Sequence, residues 1–566
     1  MHDYGSWIAG HDVAGDRHVH TIAAGDVLRD PFGALRLRRD LDRGKDPDTT
    51  GVRVLGRVAL AGPDDVEAAT AAARSALDEW SGRDLDDRLA FGHAVGAELH
   101  ARRHEFVDLL VGEGHPRRLA RWETSGFLTA MGRPSLETVR GLMDGSWTRD
   151  GRTVRLVRKA DGVVGVIPPQ NASASTSLLG VGALMGGNTV VVKVPRSSPL
   201  ATTWVWREVV AVVLEKFGAP AGALNLVCSA PQPVLTSWLD PAAGVDDVLF
   251  VGGSRRGLEI GRRAHDAGKK PVLELAGNDT LVVWTGADPA LAARAAAECF
   301  LGSAQICMVP KRVVVHPDVA DAFTAELLEV VATLRPGDPD DEDTVLSPVL
   351  DPTGFREVLD EALAGGGELL HGGRRLGVDG EPDDLGVFLE PALVRLHRHD
   401  GVVPALRAVD EETFFPLLPL VVWDTGPGED ATASVLRFVE ENAYGLRNSL
   451  WTSDPDVVAR FSRLRGGGIL KVNDSHVGFA PHLPTHGGTG LTGGPFGEAN
   501  YPVLRTTHLQ AISDATDVQP RATIFDHTGF DKQFDEGFDE GFDEGPRAGG
   551  FADEEFAVLG GRGRRA

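Results

Sequence analysis

Cysteine is scarce: Cys228, Cys299 and Cys307 are the only three in 566 residues, and neither a CxxC pair nor a histidine cluster accompanies them. A disulfide framework or a zinc site needs more sulfur or imidazole in less chain, so both are excluded and a reducing, cytoplasmic setting is expected. Long apolar runs are missing too. No 18 consecutive apolar residues occur, and the opening MHDYGSWIAGHDVAGDRH lacks a basic segment followed by an apolar stretch. Neither a membrane span nor a secretory signal is expected. Positive charge is in deficit: 57 Lys and Arg stand against 82 Asp and Glu, a net charge of -25, which leaves no basic face for a nucleic-acid backbone.

What is present is ample apolar content, 42% of the chain, enough for a large core divided between two or three domains. Residues from about 60 to 145 carry helical periodicity, with PDDVEAATAAARSALDEW opening on Asp64 or Asp65 as a cap. RTVRLVRKADGVVGVIPP (152 to 169) alternates and then turns apolar, which predicts an extended arm or hairpin feeding a buried strand. The segments VGALMGGNTVVVKVP, WVWREVVAVVLEKFG, GALNLVC and DDVLFVGGSRRGLEIGRRA then read as successive βα units of a mostly parallel sheet. Such sheets bind nucleotides at the carboxyl ends of their strands.

Cys307 closes the run CFLGSAQIC, and Glu274 of ELAG lies about thirty positions before it. A thiolate attacks a carbonyl carbon, and the resulting thiohemiacetal can give up a hydride to leave a thioester, which a carboxylate-activated water cleaves. Alone, an apolar-flanked cysteine is more often a small buried hydrophobe. Lys193 ends the β-branched run VVVKVP at a strand terminus where a ribose or phosphate sits, or is a solvated strand-end lysine. In FVGGSRRG, Gly252 and Gly253 stand between a strand and a helix, where backbone amides meet a pyrophosphate or simply make a turn. The spacing of this segment is not GxGxxG.

Taken in order, these blocks resemble the aldehyde dehydrogenase superfamily over roughly residues 50 to 512. IPPQN (Ile167 to Asn171) is similar to the family's IPWN, VVVKVP to its strand ending in the ribose lysine, FVGGSRRG to FTGS, ELAGN to ELGGK and FLGSAQIC to FxNxGQxC, with the following arginine at Arg312. EETFFP is similar to EEIFGP, and NAYGLRNSLWT to NxxxYGL. The resemblance implies an α/β fold of three parts: a Rossmann-like cofactor domain (1–145 and 161–273), an α/β catalytic domain (274–480) and a small β-arm for oligomerisation (146–160 and 481–515), in a homodimer or homotetramer. It implies Cys307 as nucleophile, Glu274 as general base, and NAD or NADP held by Lys193, Glu412 and the segment containing Gly252, Gly253 and Gly257. Gln170 falls at the family's oxyanion asparagine and Asn171 one residue later, so either amide is a candidate beside the Cys307 N–H. No metal is implied.

Departures accompany the resemblance. Pro169, Gly302, Ala304, Asn278 and Phe415 replace the family's tryptophan, asparagine, glycine, lysine and glycine in these blocks. Arg196 stands where a glutamate often follows the ribose lysine, removing an anion and adding a cation near a 2′-phosphate, which keeps NADP beside NAD. PPQNASAST is also similar to a segment of the CoA-dependent acylating branch, in which Glu274 would have no counterpart; hydrolysis is favoured, with acyl-thioester chemistry or an inactive scaffold as alternatives. His476, His482 and His486 read as tunnel-lining or loop residues. Beyond about residue 515 the FDKQFDEGFDEGFDEG repeat predicts a disordered acidic tail (516–566) with a possible protein partner.

Overall fold

The computed structural model describes residues 1–149, 151–398 and 402–516. The tail beyond Thr516, with its repeat and its proposed partner, lies outside the described residues. Two seven-stranded sheets carry the fold. In the first, Val163–Ile167, Thr189–Val194, Leu224–Cys228, Asp247–Val251 and Lys270–Glu274 run parallel, and the short strands Ser6–Ile8 and His11–Val13 extend it antiparallel at one edge. The runs VVGVI, TVVVKV and LNLVC are buried at every position, the signature of a sheet covered by helices on both faces. In the second sheet, Ala392–His397, Leu417–Val422, Pro310–Val315, Asp279–Val283, Arg447–Trp451 and Ile469–Val472 are parallel, with Glu368–His371 antiparallel at the edge.

The helical opening consists of five helices between Pro63 and Met143. The first, Pro63–Ser81, is capped by Asp65, whose carboxylate accepts the Gly62 N–H at 2.8 Å; Asp64 is not the capping residue. Its buried stripe of Val66, Ala69, Ala73, Ala76 and Trp80 follows the helical period onto the first sheet.

A third, three-stranded sheet pairs Asp144–Arg149 with Arg152–Ala160, and the latter with Thr507–Asp514. Of the expected second arm segment only the eight residues Thr507–Asp514 join it. Residues 481–506 instead fold back as short paired pieces, His486–Gly487 with Ala499–Asn500 and Tyr444–Gly445 with Thr489–Gly490, against the crossing between the two large sheets. The glycines of this segment serve close packing there: a Cβ on Gly488 would lie 2.3 Å from the Gly445 carbonyl oxygen.

That crossing positions the site. Glu274 ends an edge strand of the first sheet, and five residues later Asp279 begins a central strand of the second. Gly277 in between must be glycine, because a Cβ would lie 2.3 Å from the carbonyl oxygen of Cys307.

Candidate active site

The turn that presents Cys307 is held in an unfavourable backbone. Gly302, Ser303 and Ala304 all have φ near 60°, a region that costs a residue with a Cβ about 1–2 kcal/mol. Local bonds hold this geometry. The Ser303 hydroxyl donates to the Ser347 carbonyl at 2.7 Å and accepts the Ser347 N–H at 2.9 Å, Gln305 donates to the Pro348 carbonyl at 2.8 Å, and Lys311 donates to the Ala304 carbonyl at 2.6 Å. Asn171 completes the clamp by donating to the Gln305 carbonyl at 2.8 Å.

Cys307 opens onto a cavity of about 630 Å³ lined also by Glu274, Glu412, Lys193, Gln170, Asn171, Gly252 and Gly253. Eight of the ten site residues expected from sequence therefore meet in one place. Gly257 does not: it is buried in the helix Ser254–Asp266, where a Cβ would lie 2.0 Å from Leu275, so its small size serves helix packing. Arg196 is also outside the lining, exposed just past the strand that carries Lys193.

Two ends of the cavity differ in chemistry. At one, the Lys193 ammonium is buried, has no hydrogen-bond partner among the described residues, and is pushed down in pKa by that burial, with Cys228 opposing and Arg196 adding to the shift. Beside it the N-terminus of Ser254–Asp266 begins at Gly253, around whose Cα a Cβ would meet nothing within 4 Å. An unpartnered cation and open helix-end amides suit a phosphate-bearing dinucleotide. Glu412 accepts the Gly277 N–H at 3.0 Å, and burial raises it to about 7 despite nearby Lys311; its remaining acceptor capacity suits ribose hydroxyls.

At the other end Trp122 and Phe479 stack with ring centroids 5.1 Å apart, joined in the lining by Phe127, Met131, Ile306 and Leu483. Gly126 makes room for this wall, since a Cβ there would meet the Phe479 ring at 2.5 Å.

The Cys307 thiol is pushed up to about 12, first by burial and then by the Glu412 and Asp279 carboxylates; Lys311 opposes the shift and Glu274 adds a smaller rise. Without a bound ligand this environment therefore favours the protonated thiol at neutral pH. The physical reason is first the burial of the thiol itself, which the nearby Lys311, buried and bound to the Ala304 and Thr413 carbonyls, does not offset. The Cys307 backbone N–H has no acceptor among the described residues.

Glu274 is not free either. One carboxylate oxygen is ion-paired with Arg505, and the other accepts the Gly487 N–H at 2.6 Å. The sequence reading missed Arg505 and Lys311; Lys311 was signalled only by its place beside Arg312, and Arg505 lay in a segment assigned to the arm. Arg312 is structural, donating to Thr280 and to the Val409 carbonyl. Of the three histidines, His486 lines the cavity. His476 is fully buried between Ser449 and Asp279, and His482 is exposed and bonded to Thr138.

Comparison with known proteins identifies the family. The sequence model of the aldehyde dehydrogenase family matches residues 45–509. A vanillin dehydrogenase of Corynebacterium glutamicum is 32% identical over 426 residues, 74% of this chain and 83% of the relative. A 1-pyrroline-5-carboxylate dehydrogenase of Bacillus licheniformis is 29% identical over 81% of this chain and 86% of its own length. The crystal structure of an NAD-dependent aldehyde dehydrogenase from Sinorhizobium meliloti superposes with a TM-score of 0.73 at 23% identity, covering 92% of this chain and 97% of that one. The chain belongs to the aldehyde dehydrogenase family.

Proposed function

We propose that the protein oxidises an aromatic aldehyde to its carboxylic acid through a covalent thioester on Cys307. The observation that carries this reading is one cavity lined together by Cys307, Glu274, the polar groups Lys193 and Glu412, and the stacked rings of Trp122 and Phe479. An offset pair of rings receives a third ring with a gain of about 0.5–1.5 kcal/mol beyond area burial, and the similarity to a vanillin dehydrogenase points the same way.

In this mechanism the Cys307 thiol gives its proton to solvent in the cavity, its sulfur bonds the aldehyde carbon, and the electron pair of the opened carbonyl bond moves to the oxygen, which becomes an oxyanion. The Cys307 N–H and an amide of Asn171 or Gln170 donate to it. Asn171 is the better placed of the two, because one N–H already fixes it to the nucleophile turn while the second remains for the oxyanion. NAD or NADP, when bound, would supply the hydride acceptor, and Lys193 and Glu412, which line the same cavity, would hold its riboses. Water then attacks the thioester carbon with Glu274 taking its proton, and sulfur leaves.

A second reading, transfer of the acyl group to a thiol such as CoA, is favoured by one observation: Glu274 is engaged by Arg505 and Gly487. Incubating the thioester, formed from benzaldehyde and cofactor, with and without CoA tests the choice. Release of benzoate without CoA supports hydrolysis; formation of benzoyl-CoA, with no release in its absence, supports transfer.

A further inference from the structure

Arg505 is the last residue of the short helix Pro502–Arg505, directly before the arm strand Thr507–Asp514. Arg158 of the arm anchors this corner by donating to the Leu504 carbonyl at 2.9 Å and the Thr507 carbonyl at 3.3 Å. The guanidinium reaches from there to the cavity wall. It pairs with Glu274 through Nη1 and donates through Nη2 to the Leu273 carbonyl at 3.0 Å. Both side chains are shielded, at 8% and 7% exposure, so their attraction is little weakened by solvent. Gly487 N–H binds the other carboxylate oxygen at 2.6 Å, and His486 lies alongside. A carboxylate with both oxygens engaged is a poor proton acceptor until one of those bonds opens.

We propose that Arg505 is a positioning residue that gates thioester hydrolysis: it holds Glu274 against the cavity wall, and opening of this pair sets the rate of deacylation. The inference rests on the reading of Glu274 as the base. In the gated step the water oxygen bonds the acyl carbon, the carbon–sulfur bond breaks with its electron pair returning to sulfur, and one water proton passes to the released Glu274 carboxylate. Sulfur attack and hydride loss come earlier and use neither residue. Arg505 therefore acts on one half of the cycle only, which a merely structural role would not do.

The test is stopped-flow reduction of NAD or NADP by the full-length protein with benzaldehyde, with the acyl-enzyme followed by quench and mass measurement. The wild type is expected to show a burst of about one reduced cofactor per Cys307 and then a slower steady phase. Arg505→Gln is expected to keep the burst rate within about twofold and to speed the steady phase at least threefold, with less acyl-enzyme at steady state. Arg505→Lys, which keeps the charge but loses the forked second donor, falls between the two. A wild type without a burst overturns the gate, as does an Arg505→Gln steady phase equal to or slower than wild type. Should Arg505→Gln fail to fold, Arg505→Lys decides alone: a faster steady phase supports the gate and an unchanged or slower one overturns it. Glu274→Gln separates the underlying reading, because a variant that hydrolyses its acyl-enzyme at the wild-type rate removes Glu274 as base whatever Arg505 does.

Discussion

At the scale of single residues, the nucleophile is defined more by what opposes its ionisation than by what promotes it. Carboxylates of Glu412, Asp279 and Glu274 surround Cys307, and its thiol sits at about 12. In the protein without cofactor, the thiolate fraction rises roughly tenfold for each pH unit below that value. Iodoacetamide labelling of Cys307 is therefore expected to be slow at pH 7 and to climb steeply toward pH 10; rapid labelling at neutral pH would contradict it. Glu412 carries a related consequence. Its carboxyl is raised from 4.5 to about 7, so the folded state binds the extra proton across that window. This group favours folding below about pH 4.5 and loses that contribution as pH rises through 7. Glu412→Gln should therefore gain stability relative to wild type between pH 5 and 8, read as a melting-temperature difference that grows with pH. A third residue-level effect concerns Ala304, which stands at φ 60° where the family pattern has glycine. Ala304→Gly removes the left-handed penalty but adds unfolded-state entropy, for a net gain of up to about 1 kcal/mol in chemical denaturation.

At the scale of elements, much was legible and the failures have physical causes. Strands buried on both faces announce themselves as unbroken β-branched runs, and TVVVKV delivered Lys193 to the cavity because strand ends are where such sheets place ligands. ELAGN and FLGSAQIC were readable for the same reason: chemistry and backbone geometry both constrain them, as Gly277 and the turn at 302–304 show. Gly257 misled because a glycine that lets a helix approach Leu275 looks, in sequence, like one that lets a phosphate approach. For residues 481–506 the resemblance carried the arm assignment, and nothing local in the segment signalled the short pairings His486–Gly487 with Ala499–Asn500 and Thr489–Gly490 with Tyr444–Gly445. Arg505 left no local signal, since its partner lies 231 positions earlier. The helix Arg117–Ala130 and the loop carrying Phe479 meet only in the fold, through Trp122. Phe479→Ala should raise KM for aromatic aldehydes about fivefold, in line with ~1 kcal/mol of ring stacking, while changing kcat/KM for a short aliphatic aldehyde by less than twofold. An equal loss for both would show that Phe479 only supports the fold.

At the scale of the whole molecule, two sheets are joined through the cavity and a third projects as an arm. No helix among the described residues is long and apolar enough to cross a membrane, and no His, Cys, Asp and Glu group there could hold a metal ion. One face of the arm carries exposed Trp147, Val154 and Leu509, with Trp147 directly opposite Val154 across the strands. Exposed apolar side chains gathered on one sheet face indicate a covered surface, and we propose self-association through it; Trp147→Glu with Leu509→Asp should reduce the sedimenting species toward monomer. The central claim, covalent aldehyde oxidation resolved by water, is tested most directly by one assay: reduction of NAD or NADP with benzaldehyde in the absence of CoA, comparing wild type with Cys307→Ala. The account predicts sustained turnover to benzoate that the alanine variant lacks entirely. Turnover that survives Cys307→Ala, or none without CoA, would contradict it.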